Sequence, residues 1–293
     1  MAAPSSARRT GADLALLGLA CMWGATFPTG KDVLLYLPPF TYLAVRFTIA
    51  TLVLLPLALR DVRRVRRPDW RWAGLAGLLL GTGFVFQTLG LRLAGATVSA
   101  FLTAVSVVLV PMFSLLLGRR ATALEWVGVA SATTGLALLT LSGPIRPGLG
   151  ELLLLGCAAA FAWHIIVMDR AAARIPPLPL GMAQTLVTGL MCTLAMPSER
   201  LPRQVPSHVW PTVVALAVFG SAMAFTVQAW AQRVTTPTRV GLMLTFEPLA
   251  AAFFARWFLG ERLAGRQWIG AALIVMGIVL AEVKLGGRPD RGA

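Results

Sequence analysis

The sequence predicts an all-α integral membrane protein, with ten transmembrane helices arranged as two inverted five-helix repeats. Three observations predict it. The 293-residue chain is 57% hydrophobic and only 13% charged, with a mean hydropathy of +0.75, whereas soluble domains carry roughly 25% charged residues. The apolar residues gather in runs of about 17 to 25, the length that crosses ~30 Å of hydrocarbon. Residues 95–140 also recur at 237–282, so the chain is two related halves. Each half holds an odd number of spans, and the second therefore enters the membrane from the opposite face.

The expected spans are 12–30, 38–59, 71–91, 95–117, 124–141, 150–169, 178–196, 209–230, 237–258 and 265–284. The first follows Arg8-Arg9, lacks a clear cleavage site and is a full span, so it is kept as a helix and not read as a secretory signal. Leu37-Pro38-Pro39 separates spans one and two, and an arginine loop closing in Pro68 separates two and three. Gly118-Arg119-Arg120 turns between spans four and five, and Gly143-Pro144 breaks the chain between spans five and six. In the second half the breaks are Ile175-Pro176-Pro177, the stretch from Pro202 to Pro206, and the turn at Gly260-Glu261-Arg262. The boundary between halves is expected at 142/143, giving repeats over 1–142 and 143–293.

The repeat rests on co-registered Trp and Gly. At an offset of 142, Gly118 meets Gly260, Trp126 meets Trp268, Gly128 meets Gly270 and Gly135 meets Gly277, without a gap across the turn. Trp23 falls opposite Trp163 at an offset of 140, and Arg46 opposite Gln184 at 138. Inverted repeats are the architecture of secondary transporters, which bind solute near the bilayer midplane between the halves.

A net charge of +14 invites a nucleic-acid reading, but the arginines are confined to short loops, with no basic face or aromatic platform. Arg60, Arg63, Arg64, Arg66, Arg67 and Arg71 lie in one loop, as expected beside anionic lipid. The bias of such residues puts both termini in the cytoplasm, with the protein in the cell (inner or plasma) membrane. A reporter fused after Arg64 should be active only in its cytoplasmic form; a periplasmic signal would overturn this orientation. Cys21, Cys157 and Cys192 sit in apolar runs at no metal-ligand spacing and read as small packing residues. No metal or cofactor is expected.

Ionisable groups at mid-membrane depth are costly and mark candidate sites. Glu247 near the centre of span nine is either a proton carrier or substrate-amine contact that cycles between protonated and ionised forms, or a residue locked by hydrogen bonds at a kink. Pro248 lacks an N–H, so the Leu244 carbonyl loses its helical partner. Arg46 in span two could hold a substrate carboxylate bidentately or act as an internal anchor. His164 in span six is a titratable group or hydrogen-bonded packing. Lys31, at the end of span one, reads as a snorkelling residue or a gate. Gln87, Gln184 and Gln228 add neutral polar groups, Trp23 and Trp163 suit a cavity wall or bulky packing, and Pro111 could mark a second kink.

The stretches "EPLAAAFFARWFLGERLAGRQWIGAALIVMGIVLAE", "CMWGATFPTGK" and "YLAVRF" resemble the EamA-type carriers of the drug/metabolite transporter superfamily, in that family's order along nearly the whole chain. The resemblance implies a ten-helix basket with the solute path between the halves, helices five and ten peripheral, and transport of small metabolites, often export of amino acids or related compounds. The chain departs from strict repetition where Val105-Ser106 stands opposite Glu247-Pro248. The expected function is therefore a secondary active transporter, an exporter coupled to protons. An integral-membrane enzyme is the first alternative, but the sequence holds no HExxH, no serine elbow and no GxxxxGK[ST]. A channel or a non-transporting scaffold is the second.

Overall fold

The structure is a computed structural model that describes residues 6–94, 96–118, 122–141, 148–202, 204–250 and 264–283. The described residues are helices and short connections. The first half contains α1 (Ser6–Val33), α2 (Pro39–Val62), α3 (Trp70–Leu93), α4 (Ala96–Ala104), α5 (Ser106–Leu116) and α6 (Ala123–Thr140). The second contains α7 (Leu149–Ala172), α8 (Pro177–Ala195), α9 (Val209–Ala217), a π-helical turn at Val218–Met223, α10 (Ala224–Ala231), α11 (Pro237–Leu244) and α12 (Gly265–Val283). Among the described residues, seven helical stretches are long and apolar enough to cross a membrane, and shorter apolar helices run over Ala123–Leu139 and Gly265–Leu280. The expected ninth span is helical again over 246–250; its remainder and the turn at Gly260-Glu261-Arg262 lie outside the described residues.

Helix starts follow from the prolines. Pro38 and Pro176 are extended, at φ −61°, ψ 152° and φ −58°, ψ 151°, and Pro39 and Pro177 begin α2 and α8. A proline at the first helical position gives up an N–H that would have no helical partner anyway. The two Pro-Pro starts are 138 residues apart, the same offset that pairs Arg46 with Gln184. The open N-terminus of α2 is capped from another loop: the Glu199 carboxylate accepts from Phe40 N (2.9 Å), Thr41 N (2.8 Å) and Thr41 Oγ1 (3.0 Å). Thr122 and Glu125 form a reciprocal capping box at the start of α6.

Two spans are interrupted within two residues of equivalent places. The fourth breaks at Val105 and the ninth at Thr245, 140 residues apart. In both, the backbone tightens to an i→i−3 bond, Val105 N to Leu102 O (3.3 Å) and Thr245 N to Leu242 O (3.1 Å). Pro248 explains the second, because it leaves the Leu244 carbonyl without its helical donor. Pro111 lies within α5, six residues beyond the first break, so the interruption falls at Val105 and not at the proline.

The two halves meet in an exchange of equivalent contacts. α6 packs along α12, and a methyl carbon at Gly135 would come within 2.5 Å of the Gly270 carbonyl, while one at Gly277 would come within 2.5 Å of the Gly128 carbonyl. Gly128 and Gly135 are the repeat partners of Gly270 and Gly277, so each helix offers the same two positions to the other. Between them Ser131 Oγ donates to the Leu273 carbonyl at 2.8 Å, and residue 273 is the repeat partner of 131. An equivalent residue touching its own partner marks a local two-fold axis. No side chain beyond hydrogen fits at these glycines unless the helices move apart.

The core that positions the site is formed by α1, α2, α3, α7 and α8. α3 packs on α7 and α8, and α2 on α8. Gly77 permits the approach of α3 to α8, since a methyl there would lie 2.6 Å from Val187 Cβ; its carbonyl takes a hydrogen bond from Thr188 Oγ1 at 3.0 Å. Lipid-facing positions carry exposed leucines such as Leu52, Leu57, Leu152 and Leu194.

Candidate functional site

A cavity lies between the halves. It is lined from α1, α2, α3, α4, α5, α7, α10 and α11, together with Thr245 and Glu247 just past the break. Among the described residues, α6, α8, α9 and α12 contribute none. Both interrupted spans reach the wall at their breaks, through Ala104 and Ser106 on one side and Leu244, Thr245 and Glu247 on the other.

Arg46 is the cation of this wall. It is 4% exposed, and its guanidinium is held on three sides. Nε donates to Ser221 Oγ (2.8 Å), Nη1 to Tyr42 Oη (3.0 Å) and Nη2 to the Gly220 carbonyl (3.1 Å). Its Cζ lies 5.1 Å from the Phe84 ring centroid and 5.6 Å from that of Phe47. No carboxylate among the described residues pairs with it. The π-helical turn makes this arrangement possible: Ala224 N–H bonds to the carbonyls of Phe219 and Ser221 and passes over Gly220. The Gly220 carbonyl instead accepts from Arg46 and from Trp23 Nε1 (3.1 Å). A single wide turn thus supplies a polar acceptor inside an apolar bundle. A methyl at Gly220 would sit 3.1 Å from Arg46 Nη2, so the guanidinium would have to shift by a few tenths of an ångström to admit one.

Glu247 is the cavity's acid. It is half-buried, and no hydrogen bond reaches its carboxylate from the described residues; it does not answer the carbonyl freed by Pro248. Pro248 itself is buried and is not part of the wall. His164 lines the cavity, is 2% exposed, and shares a 2.8 Å hydrogen bond between Nε2 and Gln184 Oε1. Gln184 is fully buried and stands behind His164 instead of in the wall. Gln87 and Gln228 both line the cavity. Gln228 Nε2 donates to Gln232 Oε1 (3.0 Å), and its own Oε1 is buried without a partner.

The tryptophans separate. Trp23 is in the wall, 5.5 Å from Phe225 between ring centroids. Trp163 stacks on Phe113 at 5.0 Å and 18° and packs into the core, away from the wall. Lys31 is exposed at the end of α1 and outside the cavity, as is Pro111. Among the described residues, no three His, Cys, Asp or Glu side chains converge as metal ligands.

Sequence reasoning passed over three groups. Tyr42 and Ser221 are ordinary hydroxyl residues, and only the fold brings them to Arg46. The third is a buried ion pair, Arg239 Nη2 to Asp13 Oδ2 at 2.6 Å, with side-chain exposures of 5% and 8%. Arg239 is buried at the start of α11, two residues before Gly241 of the cavity wall. An acid in the first turns of span one and a basic residue just inside span nine were the available signals.

A cavity between inverted halves, lined by mid-helix polar residues, is joined by a direct match. The model of the EamA-like transporter family fits this sequence twice, over residues 10–141 and 148–282, once for each repeat. The chain belongs to the EamA-like transporter family. It is similar to an uncharacterized transporter of Archaeoglobus fulgidus, at 28% identity over 279 residues covering 95% of this chain and 88% of the relative. It is also similar to the uncharacterized inner membrane transporter YedA of Escherichia coli, at 28% identity over 92% of this chain and 90% of that one. A solved crystal structure shares its fold, with a TM-score of 0.78 at 22% identity over 94% of this chain and 97% of the other. This EamA-family chain is accordingly a multi-pass membrane transporter.

Proposed function

We propose that this EamA-family protein is a secondary active transporter that exports small amphipathic metabolites, amino acids or related compounds, in exchange for protons. Residues 1–142 and 143–293 act as the two halves of an alternating-access device, with both termini in the cytoplasm. The observation that carries the reading is the pairing of Arg46 and Glu247 on one mid-bundle cavity. Among the described residues, one is a buried cation without a carboxylate partner, and the other is an acid without a hydrogen bond. A zwitterion answers both, its carboxylate on the spare guanidinium donors and its amine toward Glu247. Trp23, Phe84, Phe161 and Phe225 supply apolar surface for the remainder of the solute.

Proton exchange needs an acid that is free to change state, and an acid held in a fixed network is not. Glu247 meets this condition, whereas His164 is held by Gln184. An integral-membrane enzyme is the weaker reading: among the described residues, no hydrogen bond joins a hydroxyl of the wall to His164 or Glu247. The test is counterflow of labelled amino acids into proteoliposomes under an imposed pH gradient. Wild type should show saturable, gradient-driven flux, and Glu247→Gln should retain counterflow while losing the response to the gradient. Gradient-driven flux that survives unchanged in Glu247→Gln would remove the proton role from this residue.

A further inference from the structure

We propose that the end of the bundle where α3 begins and α7 ends is a binding site for the phosphate headgroup of an anionic phospholipid, formed by Trp72, Arg71, Arg170 and Arg174. Three guanidinium groups converge there on one indole. The Cζ atoms of Arg71, Arg170 and Arg174 lie 5.4, 5.6 and 5.6 Å from the Trp72 ring centroid. Contact with the ring face favours each cation singly, but three like charges around one ring repel one another. Asp69 offers only a long contact, 3.8 Å from Arg174. Even with Asp169, next to Arg170 in the chain, also counted, two acids face three arginines, and Arg66 and Arg67 precede the cluster.

The chemistry of the cluster is one-sided. Trp72 Nε1 is a buried donor without a hydrogen-bond partner, and each guanidinium is a donor only. A site built from donors and positive charge takes an acceptor with several anionic oxygens, which is the description of a phosphate.

The face below the arginine selects lipid over free phosphate. Leu75 and Leu78 follow Arg71 at i+4 and i+7 on the same side of α3, 40% and 50% exposed. A headgroup at Arg71 therefore has an apolar track for its acyl chain running toward the middle of the membrane. Tryptophan at this level is the residue of the membrane–water boundary. In the proposed orientation this end faces the leaflet whose anionic lipids attract basic segments.

The experiment is native mass spectrometry of the purified full-length protein with equal phosphatidylglycerol and phosphatidylcholine, alongside thermal unfolding with each lipid. Wild type should retain phosphatidylglycerol selectively and be stabilised by it. Arg170→Gln/Arg174→Gln should lose about ten-fold in that selectivity, the scale of a lost charge-assisted contact. Trp72→Phe, which keeps the ring and removes the N–H, should lose part of it. Arg60→Gln/Arg63→Gln, at the end of α2 and outside the cluster, should match wild type. Equal retention of both lipids by wild type, or an equal loss in the Arg60/Arg63 variant, would overturn the site. Stabilisation of the same size by inorganic phosphate alone would overturn the assignment to lipid. Each variant is compared only after it unfolds, lipid-free, at the wild-type temperature; should the arginine pair fail this, Trp72→Phe decides.

Discussion

Arg46→Gln should weaken binding of the transported solute by about 10- to 100-fold, the equivalent of roughly 1.5–3 kcal/mol for a hydrogen-bonded contact to a charged group. The measurement is the concentration dependence of ligand-induced thermal stabilisation, using an amino acid that supports counterflow. Arg46→Lys should fall between the two. It keeps the charge but cannot reach Ser221, Tyr42 and the Gly220 carbonyl from one planar fork. Tyr42→Phe and Ser221→Ala act only through the position of the guanidinium, so their losses should be smaller than that of Arg46→Gln. Identical saturation curves for wild type and Arg46→Gln would make Arg46 a strut between α2 and the π-helical turn, with no part in solute binding.

Asp13→Asn is expected to be the most damaging single change to stability. Removing one member of a buried ion pair typically costs about 3–5 kcal/mol, because the other charge stays desolvated. The Asp13–Arg239 pair is nearly inaccessible at both ends, and it ties α1 to α11 across the repeat boundary. Unfolding in detergent reads the effect. The double variant Asp13→Leu/Arg239→Met should be less destabilised than either single change, since no charge is then left behind. A loss below about 1 kcal/mol for Asp13→Asn would mean that water reaches the pair, and the size expected for a buried pair would not apply.

Much of the fold was legible because membranes impose strong rules. Apolar length sets the spans, Pro-Pro pairs mark where α2 and α8 begin, and the Trp and Gly register exposes the repeat. Glu247, Arg46, His164, Trp23, Gln87 and Gln228 all reach the cavity, because a polar or amphipathic side chain inside an apolar helix has few other places to go. Trp163 did not, since its symmetry with Trp23 is broken by Phe113, which offers a stacking partner. The π-helical turn was illegible: Val218–Met223 contains no proline, and only packing against Arg46 and Trp23 reveals the wide turn. Asp13 was overlooked for a related reason, because its meaning depends on a residue 226 positions away.

The glycine contact between α6 and α12 has a mechanical consequence. Those helices touch backbone to backbone, line no part of the cavity, and sit on a local two-fold axis. The wall, by contrast, is built from elements with soft joints: the breaks at Val105 and Thr245 and the π-helical turn at Val218–Met223. If the halves rock, α6 and α12 are the axle, stiff because the glycines bring the two backbones into direct contact, and the joints beside the solute are where the bending occurs.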